Sequence, residues 1–98
     1  MNYAELQRQD RRLVLLRGLE SSAQYRANSY LLQRFADQVG HVVSADVIAA
    51  DLAWLAEAGL LAVDARPDIT VATLTPRGAD VATGRATHPG VARPSPGA

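Results

Sequence analysis

The chain contains no cysteine and no lysine, and among its 98 residues only one tryptophan, one phenylalanine and two histidines. Without cysteine there are no disulfide staples and no thiolate chemistry. The two histidines, His41 and His88, stand in different segments and have no acidic residue at a recognisable spacing. A zinc site needs three or four ligands, and none can be assembled from these residue types. There is also no glycine-rich loop of the kind that cradles phosphate. The expectation is a protein that is not an enzyme and has no cofactor or metal. His41 is expected to help close a helix. Long apolar runs are missing too: nothing approaches the roughly 20 residues of a membrane span. The first residues are polar and charged rather than leader-like. They point to a cytoplasmic protein with no membrane partner.

A surplus of charge is likewise absent. Ten basic residues, all arginine, balance ten acidic ones. The molecule as a whole is therefore not drawn to polyanions. Its charge is unevenly distributed, however. Residues 1–40 carry six Arg against four acids, residues 41–64 carry four acids and no Arg, and residues 65–98 carry four Arg against two acids. The middle of the chain is its acidic part.

What is present is apolar periodicity: 48% of residues are hydrophobic and 20% charged, a globular balance. From Tyr3 to Glu20, Leu6, Leu13, Leu16 and Leu19 fall near one helical stripe widened by Val14 and Leu15. That stripe looks wider than one small domain can cover, which suggests a homodimer. Residues 21–27 read as a connection. Asn28 or Ser29 can cap a second helix that buries Leu31, Leu32, Phe35 and Val39 and stops at Gly40. Val42 and Val43 suit a very short strand. Ser44 caps a third helix with apolar Ile48, Leu52 and Leu55, ended by Gly59. Residues 60–65 and 69–75 are β-prone and flank Arg66-Pro67-Asp68, a hairpin. Thr75-Pro76 starts a brief helix reaching about Arg85. Residues 87–98 are rich in proline and glycine and read as an irregular tail.

Three helices, a hairpin and a short helix make a mainly α domain over residues 1–86. The arrangement fits a winged helix-turn-helix followed by the tail at 87–98. The passage from Asp51 to Leu61 and the later Leu74-Thr75-Pro76-Arg77-Gly78 resemble winged-helix regulators of the MarR and ArsR groups. In those, a third helix ends L-x-x-x-G-L, and L-T-x-x-G follows the wing. A broader resemblance rests on five passages: Met1-Asn2-Tyr3-Ala4-Glu5, Asp10-Arg11-Arg12-Leu13-Val14-Leu15, Gly40-His41, Asp51-Leu52-Ala53-Trp54-Leu55 and Gly90-Val91-Ala92-Arg93-Pro94. Together they are similar to a family of short proteins of Mu-like bacteriophages. The resemblance implies a small winged-helix protein encoded near packaging and head genes, acting in the host cytoplasm.

Two functions follow. Nucleic-acid binding is the commonest use of such a fold and implies a regulator or packaging accessory. The third helix nevertheless begins Ser44-Ala45-Asp46-Val47-Ile48-Ala49-Ala50-Asp51, which offers carboxylates where Arg, Asn or Gln would read bases. Only Ser44 is a polar reader there. Contact with DNA would therefore be weak or non-specific, through Arg66 at the wing tip, Arg26, Asn28 and Ser29 at the second helix, and Arg8, Arg11 and Arg12 on the first. The alternative is a protein-interaction adaptor, with other phage proteins as partners. Its candidate surface residues are Trp54, Leu6 and Tyr3, and Trp54 is expected to be partly buried against the first helix or a partner.

Overall fold

The computed structural model describes residues 2–96. The elements run α1 (Tyr3–Glu20), a 3-10 turn (Ala23–Tyr25), β1 (Arg26–Asn28), α2 (Ser29–Gln38), α3 (Ala45–Glu57), β2 (Leu61–Ala65), β3 (Thr70–Leu74) and α4 (Pro76–Thr83). The three strands form one antiparallel sheet in the order β1-β3-β2. The result is a mainly α domain with a small sheet.

Local chemistry sets the element ends. Asn28 Oδ1 accepts from the Leu31 N–H at 2.8 Å and Ser44 Oγ from the Val47 N–H at 3.3 Å. Each satisfies a donor that a helix start leaves free. Thr75 has three roles in the L-T-P-R-G passage. Its Oγ1 accepts from Gly78 N at 3.0 Å and donates to Gly59 O at 2.8 Å, while its N–H reaches Leu60 O at 3.2 Å. The start of α4 is thus fastened to the end of α3. Any side chain at Gly78 would collide with the Leu60 carbonyl oxygen. Gly59 itself turns the chain at φ 78°, a conformation that disfavours other residues.

Leu13, Leu16, Leu32, Ile48, Leu52, Leu55, Leu60 and Leu74 are buried as the periodicity predicts. Three apolar residues expected on the buried face of the second helix depart from that pattern: Phe35 is only half-buried, and Leu31 and Val39 are exposed. Leu15 and Leu19 are fully buried as well, because α1 runs through the middle, packed by α2, β3 and α4. The stripe from Leu13 to Leu19 is therefore covered within the chain, whereas Leu6 at its N-terminal end is exposed.

Three further local expectations are corrected. Residues 21–27 are not a plain connection: Arg26–Asn28 pairs with β3, Arg26 opposite Thr73 and Asn28 opposite Val71. The sheet consequently has three strands rather than two. Val42 and Val43 form no strand. The last helix stops at Thr83, where Gly84 turns left-handed at φ 86°. Over residues 87–96 the tail is irregular, as expected, and packed; its last two residues lie outside the described ones. Val91 is buried, and the Ala92 N–H donates to Gln9 O at 3.1 Å. The tail thus lies against α1, which also holds it through Arg12.

Candidate interaction surfaces

The eight candidate DNA-contact residues do not form one surface. On α1, Arg11 turns inward and forms an ion pair with Asp51 of α3, its Nη2 also reaching Asp51 Oδ1 at 3.2 Å. Arg12 is buried beside it. Its guanidinium lies 3.7 Å from the centre of the Trp54 ring and donates from Nη1 to Gly90 O at 3.0 Å. Burial lowers the Arg12 pKa, partly offset by the Asp51 charge, and the group stays cationic. Both arginines were expected to flank a phosphate, but both are spent inside the molecule. Arg8 is exposed and paired with Glu5 at 2.8 Å. Glu5 is held below its ordinary carboxylate value, chiefly by a hydrogen bond from Gln9 and then by Arg8.

At the hairpin tip, Arg66 is exposed and bonded to Asp64 at 3.0 Å. Arg26 is exposed on β1 and has no carboxylate partner among the described residues. Its neighbours have structural duties. Asn28 caps α2, and Ser29 Oγ accepts from the Thr70 N–H at 3.3 Å, tying α2 to β3. Ser44 caps α3.

The two faces of α3 are chemically unlike. Ile48, Asp51, Leu52 and Leu55 are buried. The exposed positions are Ala45, Asp46, Ala49, Ala50, Ala53 and Glu57. Asp51 therefore adds no charge to the outer face, contrary to the sequence expectation. Asp46 and Glu57 do, and between them lies a low alanine surface. No exposed side chain of α3 can donate a hydrogen bond to a base edge.

Of the three candidate interaction residues, two come together. Tyr3 is 75% and Leu6 52% exposed, and both line a hollow with Val39 and His41. His41 does close α2, its N–H donating to Ala36 O at 2.8 Å. Its ring also meets Asp10 Oδ2 at 2.6 Å, an acidic partner that the spacing did not reveal. Trp54 lies elsewhere, half-buried against Arg12 of the first helix and edge-on to His88, with ring centres 5.3 Å apart. It is part of the tail's seat. The sequence reading missed Tyr30, Leu31 and Arg34 as surface candidates, because α2 seemed to bury the apolar ones.

Among the described residues, no cluster of three or more His, Asp or Glu could hold a metal ion, and no helix is long and apolar enough to cross a membrane. No family model matches the chain. It is 48% identical over 88 residues to the uncharacterized protein gp26 of Escherichia phage Mu, covering 90% of this chain and 91% of that protein. It is also 42% identical over 78 residues to an uncharacterized protein of Haemophilus influenzae, covering 79% of this chain and 76% of that one.

Proposed function

We propose, from the premise that this chain belongs to the family of short proteins of Mu-like bacteriophages, that it is a winged-helix adaptor that binds another phage protein. The element order supports the winged-helix reading: helix, short strand, two helices, hairpin, helix, with the first strand beside the hairpin. The outer face of α3 carries the choice of partner class. In DNA-reading winged helices this face enters the major groove with Arg, Lys, Asn or Gln. Here it is alanine with Asp46 and Glu57. Carboxylates repel phosphates, and alanine reads at most a thymine methyl. A low alanine surface instead permits close approach by another protein backbone.

The test is pairwise binding of the purified protein to the packaging and head proteins of its own phage. Ala49→Arg places a bulky cation in the middle of the face and is expected to weaken the productive pair about tenfold or more. Its unfolding midpoint should stay at the wild-type value. Undiminished partner binding by this variant would contradict the assignment of the face.

A second reading keeps DNA as the partner and is favoured by one observation, the exposed Arg26, which has no carboxylate partner among the described residues. Contact would then run through phosphates, be indifferent to sequence and weaken steeply with salt. Arg26→Ala should reduce such binding. Tight, sequence-selective binding lost on Ser44→Ala would restore the third helix as a reader and overturn the first proposal.

A further inference from the structure

A hollow of about 480 Å³ lies between the C-terminal half of α1 and α2. Its size falls in the range of pockets that accept a ligand or an anchoring side chain. Gly18, Leu31, Leu32 and Phe35 contribute to its wall. Gly18 lets α2 pack closely there: a Cβ would come within 3.0 Å of the Phe35 ring and 3.2 Å of Leu32. The remaining lining is serine, alanine and glutamine, with Arg34 as the one charged lining residue. Arg34 is exposed, has no carboxylate partner among the described residues, and sits 5.8 Å from the centre of the Tyr30 ring.

The surroundings are unusually apolar for solvent-facing positions. Leu31 is 54% and Tyr30 60% exposed, and Tyr25, in the turn between lining residues Ser22 and Ala27, is 53% exposed. That turn holds Gln24 and Tyr25 consecutively at φ 55° and 57°, a left-handed conformation that side chains other than glycine rarely adopt. Tyr25 gains no burial in return.

We propose that this hollow docks an acidic segment of a partner protein, seating a leucine or phenylalanine on Phe35 and Leu31 and a neighbouring carboxylate on Arg34. The charge follows from Arg34, a planar donor that matches a carboxylate with two parallel bonds. The anchor follows from the apolar wall, since taking apolar surface out of water is a main driving force of protein association. The proposal rests on the protein-binding reading above for its class of partner, but uses a different face.

The experiment uses the full chain, labelled for NMR, and three short synthetic peptides: Leu-Phe flanked by glutamates, the same apolar pair flanked by lysines, and serines between glutamates. The expected result is that only the first moves the amide signals of residues 18–27 and 31–38. Its affinity should exceed that of the lysine peptide by about tenfold or more. Arg34→Gln, at an exposed position, should remove that preference without unfolding the protein, and Leu31→Ala should weaken binding of the first peptide. Equal binding of the glutamate and lysine peptides overturns the proposal, as does the absence of shifts at these residues. Displacement of the peptide by duplex DNA, with shifts at the same residues, would overturn it in favour of a nucleic-acid site. Ala49→Arg serves as the control, because it should leave peptide binding unchanged. Failure here with intact Ala49→Arg sensitivity toward a phage partner removes this site alone, whereas the reverse removes the α3 face alone.

Discussion

Each flank of α1 carries an arginine beside an aromatic ring, and the two pairs differ in what covers them. On one flank Arg12 lies over Trp54, and residues of the tail close the pair: Gly90 supplies a carbonyl acceptor, His88 meets the ring edge and Val91 is buried. Even a methyl at Gly90 would intrude on the Trp54 ring. On the other flank Arg34 lies near Tyr30, with Leu31 exposed and Phe35 half-buried, and no segment among the described residues closes over them. The same kind of pair, an arginine beside an aromatic ring, thus makes a structural joint where a segment of chain is supplied and an open surface where none is. A buried cation needs its neighbours for stability, while an exposed one is free to choose a partner.

The largest effect that would test this contrast is on the covered flank. Asp51→Ala leaves Arg11 without its counter-ion in a site where the two side chains are 13% and 6% exposed. Removing one partner of a buried pair costs about 3–5 kcal/mol, read as a lowered denaturant midpoint. An unchanged midpoint would mean that the joint is only a surface pair. Next comes truncation after residue 88. It removes Val91, whose burial contributes about 1.5–3 kcal/mol, and strips Arg12 of the Gly90 acceptor. The shortened chain should still unfold cooperatively, at a lower midpoint.

On the open flank the expectation reverses. Leu31→Ala should change stability by no more than about 0.5 kcal/mol, since its side chain is already half in solvent. A large loss would show that the flank is part of the core. The smallest effect concerns Glu5 at the exposed start of α1. Its lowered pKa means that its contribution is present above the ordinary carboxylate range and fades as pH falls through the folded value. NMR titration should place Glu5 below that range in the wild type and closer to it in Gln9→Ala.

Sequence revealed whatever depends on neighbours along the chain. Asn28, Ser44 and Thr75-Pro76 marked helix starts because a cap bonds to a backbone only three residues away, and Gly59 marked a stop because its conformation is local. What stayed hidden depends on distant partners. The Arg-Ala-Asn strand has no β preference and exists because β3 has a free edge. Arg11 and Asp51 each read as a surface charge until folding brings them together, and Asp10 with His41 likewise. The tail's composition announced irregular backbone correctly, but gave no sign that Val91 would be buried. Of the candidate site, Tyr3 and Leu6 were legible as exposed apolar residues. The α2 surface was not, because helical periodicity alone does not tell which of Leu31, Leu32 and Phe35 faces inward.

Whether α3 reads DNA decides the class of partner, and one measurement addresses it: the amide spectrum of the labelled protein as phage-derived duplex is added at low salt. The signals of residues 44–50 are expected to remain in place, with any small shifts confined to the surroundings of Arg26 and abolished by added salt. Shifts concentrated at residues 44–50 and persisting in salt would place the third helix in the major groove and contradict the account.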